Sequence, residues 1–411
     1  MSPLITKFKN KKINSILVIC AGGITVLITL GLNHSNGLYL LPITNHLNIG
    51  RELYGLAGAF GILFSGIGAP VFGGFADKYG VGKTVFVMAI LQIISWAWLG
   101  NANSSLDLFG SRILMGFGSS GVVGIALAAT GRSVSTGNRS LFVGLIMASG
   151  SFGQFIMVPM INLILTTYGW VNASFVASIL VIPIILMAYF LSLTPSALEN
   201  NSTQKQTVKE ALTEAFKNRS YNLLTLGFFV CGFHVTFVAT HLPAFLEDKS
   251  IPNEVAGWAL ALIGLFNIVG TITYGYLGSR LSKKNLLSIL YTLRSVLFLL
   301  FILSPKTNLS VLIFASVLGI LWLSTVPLTN GIIADIFGQS YTSMLFGITL
   351  LSHHIGSFLG SWLGGRFFDY YGSYDPVWWI CVALGFAAAI VHYPIVIKPV
   401  VRLKKEILSP T

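Results

Sequence analysis

The residues able to do chemistry within this chain are few, and most of them are basic. Arg112, Arg294, His34, His234 and His353 fall inside long apolar runs. All 13 acids fall near the ends of such runs. Glu52, Asp107, Glu247, Asp248, Glu254, Asp369 and Asp375 lie at one set of ends, and Asp77, Glu199, Glu210, Glu214, Asp335 and Glu406 at the other. A buried acid, the partner a cationic ligand needs, is therefore missing, whereas a buried arginine calls for an anion. His353 and His354 are consecutive and point about 100° apart on a helix, which argues against a shared metal. Cys20, Cys231 and Cys381 never form a CxxC pair, so neither a disulfide framework nor a zinc site is indicated. Gly116-Phe117-Gly118-Ser119-Ser120-Gly121 spells GxGxxG inside an apolar helix with no preceding strand, and reads as helix packing. No P-loop, HExxH or nucleophile elbow is present, so the expectation is a protein that is not an enzyme and carries no cofactor or metal.

The elements that must position these residues follow from composition. Of 411 residues, 54% are hydrophobic and only 9% charged, where a soluble domain carries about 25%. Apolar segments are read at 14–41, 53–73, 84–101, 107–130, 140–167 and 171–193, then at 221–246, 255–278, 285–303, 309–334, 341–367 and 377–397. At about 20 residues per crossing this is a twelve-helix, all-α membrane protein, continuous runs excluding a barrel. A polar stretch at 194–220 separates a six-helix unit over 1–193 from a second over 221–411.

The formal charge of +12 has the look of a nucleic-acid signal until the 25 lysines and arginines are located. Nineteen fall in segments on the side of the N-terminus, four (Arg51, Lys249, Lys306 and Arg366) on the other side, and two inside helices. By the positive-inside rule both termini are expected in the cytoplasm, with anionic lipid headgroups as counter-charge and no nucleic-acid partner. The basic, then apolar, N-terminus lacks a small-residue cleavage site, so it reads as a retained first helix in a bacterial inner membrane.

The two sets of six also repeat each other. Gly144, Gly153 and Tyr168-Gly169 recur 203 residues later as Gly347, Gly356 and Tyr371-Gly372, and Gly61 matches Gly264 at the same offset. Parallel repeats of this kind belong to transporters with a central site between the halves.

These residues carry a family resemblance. Gly73-Gly74-Phe75-Ala76-Asp77-Lys78-Tyr79-Gly80-Val81-Gly82-Lys83 resembles the major facilitator loop motif, in which glycines let helices approach and an acid among basic residues latches a gate. A worn copy, Gly275 to Lys284, occupies the equivalent loop of the second half without an acid. Arg139-Ser140-Leu141-Phe142-Val143-Gly144, then Ala148, Gly150 and Gly153, is similar to a stretch of monocarboxylate porters and oxalate/formate exchangers. Arg112, Gly116 and Gly118 resemble the family's fourth-helix motif. Two departures stand out: Asn33-His34-Ser35-Asn36-Gly37 replaces the acid-glycine-tryptophan of animal monocarboxylate porters, and segment eight offers only Asn267, Thr271 and Thr273 where an acid–arginine pair is expected.

The resemblance implies two pseudo-symmetric bundles and alternating access, in a monomer. The expected cargo is a small organic anion moved on a proton or substrate gradient. His34, His234, His353 and Arg112 are expected to hold it, with Asn33, Gln154, Asn267 and Trp322 lining the cavity, and Asn33 facing His234 across it. A neutral or lipophilic solute is the alternative cargo; a transporter-like receptor is the alternative class. Arg294 is expected to pack or snorkel, and His241 to be solvated. Gly73, Asp77, Lys78, Gly80 and Lys83 form the expected gating motif. Asp77→Asn is accordingly expected to cut transport severely while leaving expression near normal, and ordinary solute uptake by the folded variant would remove the gating role.

Overall fold

Hydrocarbon offers a backbone no water to bond, so a chain this apolar must satisfy its N–H and C=O groups within helices. The computed structural model describes residues 3–134, 139–194, 207–338 and 341–400, and the ordered elements among them are all helical. Of the expected basic positions, Lys205, Arg402, Lys404 and Lys405 lie outside the described residues, as do the side chains of Arg139, Ser140, Leu141 and Val143.

In chain order the helices are α1 (Pro3–His34), α2 (Leu40–Leu47), α3 (Arg51–Tyr79), α4 (Val81–Gly100), α5 (Ser105–Ser119), α6 (Val122–Ser133), α7 (Arg139–Val181) and α8 (Pro183–Leu191). Then come α9 (Val208–Lys217), α10 (Arg219–Asp248), α11 (Asn253–Arg280), α12 (Lys283–Leu303), α13 (Asn308–Leu321), α14 (Thr325–Phe337), α15 (Thr342–Tyr371) and α16 (Asp375–His392). Among the described residues, ten stretches are long and apolar enough to cross a membrane. One of them, Gly144–Leu191, turns back at Gly169, whose φ of 84° only glycine adopts freely. Its two arms pack separately: Gln154 and Asn162 reach α11, while Ser178 bonds Ile93 of α4. That arm makes a further crossing, and α15, polar enough to fall outside the ten, completes twelve. The loops at 48–50, 101–104, 249–252, 304–307 and 372–374 share one end, here the distal end. The chain termini and 194–220 lie at the other, the terminal end.

The internal repeat is visible as repeated contacts. A Cβ on Gly153 would lie 2.0 Å from the Leu27 carbonyl oxygen, and one on Gly356 would lie 2.0 Å from that of Phe229. The two glycines let α7 approach α1, and α15 approach α10, in the same way. The fourth and tenth crossings are both broken, at Ser120–Gly121 and at 322–324. Freed carbonyls at membrane depth need donors. Gln92 donates to the Gly118 carbonyl at 2.9 Å, and Arg294, 202 residues on, donates to the carbonyls of Leu321 and Trp322. Asn267 accepts from the Leu323 N–H at 3.0 Å. Arg294 is 1% exposed, so it packs at the break and does not snorkel.

The polar stretch 194–220 holds an element that its composition did not announce. Thr207 and Glu210 form a capping box that starts α9, which buries Ala211 and Ala215 beneath charged neighbours. The backbone N–H of Thr207 holds the Glu210 carboxyl below its ordinary range.

Gly153→Val should cost about 1–3 kcal/mol through overpacking against Leu27. A thermal melt of the purified protein checks this; an unshifted midpoint would contradict the close approach.

Candidate functional site

Between the halves, α3 packs on α15, α7 on α11, and the short turn Asn36–Tyr39 on α10. All three contacts run from the distal end to about mid-depth. Gly37 abuts the Ala239 carbonyl, Gly55 that of Ser361, and Phe60 meets Phe358 with ring centroids 5.7 Å apart. Beyond Gly66 and His354 the pair α3 and α15 parts. A Cβ at Gly73, Gly74, Gly144 or Gly347 would meet nothing within 4 Å, and Phe75, Tyr79 and Tyr276 are exposed. The halves therefore close at the distal end and splay at the terminal end.

Charge explains where they close. Arg51, at the start of α3, donates through both terminal nitrogens to Asp248 of α10, at 2.6 and 2.8 Å. Its guanidinium also lies 3.6 Å over the Phe368 ring and donates to the Tyr374 hydroxyl at 3.2 Å. Asp369 of α15 accepts from the backbone N–H groups of Arg51 (3.0 Å) and Glu52 (2.8 Å), so the second half supplies the helix cap that Gly50 cannot. Any Cβ at Gly50 would lie 2.2 Å from that carboxylate. Glu52 in turn accepts from Trp362 (3.0 Å) and Arg366 (2.9 Å). Among the described residues, the ion pairs joining the halves are these two, Arg51–Asp248 and Arg366–Glu52.

The expected gating motif sits at the other end and within one half. Asp77 pairs with Arg132 of α6 at 3.5 Å, and Gly73, Lys78, Gly80 and Lys83 surround an open, exposed loop. The second half has an ion pair in the same region: Asp335 of α14, which follows Arg132 by 203 residues, bonds Lys283 at the start of α12 at 2.7 Å.

The expected substrate residues divide into groups. Arg112 is 4% exposed, and its guanidinium donates to the Asn36 side-chain oxygen and, at 2.5 Å, to the Tyr54 hydroxyl, leaving Nε unpartnered. Asn33 and His34 end α1 half-buried, His34 bonded to the Leu30 carbonyl at 2.7 Å. Gln154 and Asn267 meet across the seam: Gln154 donates to the Leu260 carbonyl (2.7 Å) and Asn267 to Ser151 (2.8 Å). Trp322 is buried at the tenth-crossing break with its Nε1 unpartnered.

Three histidine expectations need correction. His234 does not face Asn33 across a cavity; its Nε2 bonds the Cys381 carbonyl at 2.9 Å and its ring meets Phe298 edge-on, inside the second half. His353 turns toward Phe228 and Ser357 of its own half, and His354 is the one against Gly66 at the seam. One residue along a helix swings a side chain by about 100°, which apolar patterning alone could not resolve here. His241 is not solvated but wholly buried, between the Tyr374 hydroxyl (3.2 Å) and the Ser361 carbonyl (2.7 Å).

Sequence reasoning passed over Arg51, Glu52, Asp248, His241, Arg366, Asp369 and Tyr374. A usable signal existed: Arg51 and Arg366 are two of the four basic residues on the side depleted of them, each beside an acid of the opposite half.

Arg51→Gln should weaken distal closure by about 1–2 kcal/mol, the size of a partly exposed charge-assisted pair. Ser361, 1% exposed beneath Gly55, reports it. In a Cys20→Ser background, Ser361→Cys should be alkylated about tenfold faster once Arg51→Gln is added; equal rates would dismiss the latch.

Comparison with known proteins agrees with this geometry. The sequence matches the family model described as Major Facilitator Superfamily over residues 21–252 and again over 224–409. It is 24% identical over 395 residues to the MFS-type transporter YcxA of Bacillus subtilis, covering 91% of this chain and 94% of that one. The sialic acid transporter NanX of Escherichia coli is 24% identical over 260 residues, 62% of each chain. Human monocarboxylate transporter 12 is 24% identical over 318 residues, 68% of this chain and 61% of its own. In structure the chain superposes on the nucleoside transporter NupG with a TM-score of 0.79 at 13% identity, covering 93% of this chain and 99% of that one. It superposes on a D-xylose–proton symporter with 0.77 at 16%, covering 93% and 98%.

Proposed function

The chain belongs to the Major Facilitator Superfamily, and from that premise we propose that it carries a small organic anion across a membrane by alternating access between its two halves. It is a transporter and not an enzyme. The observation that carries the anionic reading is Arg112. A guanidinium at membrane depth needs compensation, its insertion costing about 2.5–3.5 kcal/mol. Its bonded partners are an amide oxygen, a phenol and, at 3.8 Å, the Met115 sulfur, none of them charged. An incoming carboxylate supplies the missing charge. Asn36 and Tyr54 hold the guanidinium in place meanwhile, so that its planar fork is already oriented for a carboxylate. Two of the relatives are named for acids, sialic acid and monocarboxylates, which supports the same class.

Loading is from the terminal end in the conformation described, where the halves part. By the positive-inside rule that end faces the cytoplasm of a bacterial inner membrane. Gln154 and Asn267 bond across the seam, which supports a role for them, with Asn33 and His34, on the route of the anion; His234, His353 and Trp322 would shape the second half from behind it. A proton, taken up with the anion, makes the loaded complex electroneutral.

Arg112→Gln should weaken binding of a stabilising monocarboxylate about tenfold or more, the loss of a charge-assisted bond. Thermal stabilisation of the purified protein by a panel of carboxylates, followed by labelled uptake into vesicles, tests both parts. Equal stabilisation of wild type and variant would remove Arg112 from the site. Uptake of neutral sugars but of no carboxylate would overturn the anionic reading.

A further inference from the structure

The distal closure contains a titratable group whose hydrogen bonds are fully specified. Ser361 presents a carbonyl, which only accepts, so His241 Nε2 carries the hydrogen of the 2.7 Å bond between them. Arg51 only donates, so the Tyr374 oxygen accepts from it and turns its own hydrogen to His241 Nδ1, at 3.2 Å. The chain Arg51 to Tyr374 to His241 to Ser361 is therefore complete, every donor matched to an acceptor, with a neutral imidazole. His241 is 0% exposed and Tyr374 1% exposed, so no water relieves an alternative arrangement.

A second proton on His241 would set Nδ1–H as a second donor on the phenol oxygen beside Arg51 and turn the phenol hydrogen away from the ring that now accepts it. It would also set a buried cation beside that guanidinium. The surrounding charges do not offset it. From α3 come Arg51 and Glu52, the latter held by Arg366 and Trp362. From α15 come Arg366 and Asp369, the latter occupied by the N-terminus of α3. Asp248, on the same helix as His241, is engaged by Arg51. The ring nitrogens of His241 themselves bond only Tyr374 and Ser361. Three of the four linked groups, His241, Tyr374 and Ser361, belong to the second half; Arg51 and the covering Gly55 belong to the first. When the halves part distally, Arg51 leaves, the Tyr374 oxygen becomes free to accept from Nδ1–H, and the ring meets water. Docking of Arg51 and protonation of His241 thus exclude each other.

We propose that His241 is a proton-binding site of the distal gate: the gate closes on the neutral ring, and a proton taken from the distal side holds it open. The proposal rests on the alternating-access reading above and adds the residue through which acid acts on it. Histidine titrates in the range where a proton gradient operates, about pH 5 to 8.

Spin labels at Asn103→Cys and Thr307→Cys, exposed distal loops of opposite halves, measure the opening in a Cys20→Ser background in lipid nanodiscs. With His241 intact, the longer-distance population should grow as pH falls from 8 to 5. In His241→Gln, whose amide can donate to Ser361 and accept from Tyr374 at every pH, that growth should vanish; His241→Asn serves the same purpose if the glutamine variant does not fold. Distances that do not respond to pH with His241 intact, or an equal response in the variant, would overturn the proposal. Uptake by the same preparations separates the two ideas. Acid-driven opening without movement of any carboxylate or sugar would sink the transport reading and leave His241 standing, while transport through a pH-blind gate would do the reverse.

Discussion

A polar group placed in hydrocarbon must find its partner within the protein, and most of the polar arrangements in this chain follow from that requirement. It imposes helices on all twelve crossings. Where the fourth and tenth are broken, it recruits Gln92 and Arg294 from the neighbouring third and ninth to the freed carbonyls. It also accounts for the glycines at close crossings: with no aqueous driving force between helices, contact depends on backbones approaching until their atoms touch. Arg112 and Arg294 are the two guanidinium groups where the requirement is met incompletely: each bonds only uncharged groups and leaves nitrogen unpartnered.

The two halves obey the repeat in their contacts more faithfully than in their letters. Gly153 and Gly356 perform one packing task at an offset of 203. Arg132 and Asp335, 203 residues apart and opposite in sign, each pair with a residue of the preceding inter-helix region, Asp77 and Lys283. An ion pair keeps its attraction when both signs reverse, so the contact can persist while a motif written in residue types disappears. Gln92 and Arg294 show the same freedom: each supplies an N–H to a broken helix, and the break is indifferent to whether an amide or a guanidinium brings it.

The distal closure has a different character from the helix packing beneath it. Its ion-pair partners are 13% to 57% exposed and drawn from both halves, so each contact is worth little singly and the set is reversible. Asp369 capping α3 from the opposite half is the tightest coupling among them, because it links the integrity of a helix end to the position of the other bundle. A gate built this way can hold one end shut without making the state permanent, which is what a carrier with two access states requires.

Length, apolar content and the run pattern determined the class, the number of crossings and the twofold repeat from the sequence alone, because membrane thickness converts composition directly into helices. The loop motif at Gly73–Lys83 and the fourth-helix arginine were legible for the same reason, being local. What the tertiary structure decided was direction and pairing. Apolar patterning on all faces of these helices leaves no signal for which side of α10 or α15 meets the other half, so His234, His353 and His354 could be placed on a helix but not on a face. The partners of Arg51 are 197, 318 and 323 residues away: Asp248 and Tyr374 bond its guanidinium and Asp369 its backbone N–H, and only the packing of α3 against the second half brings all three to one residue.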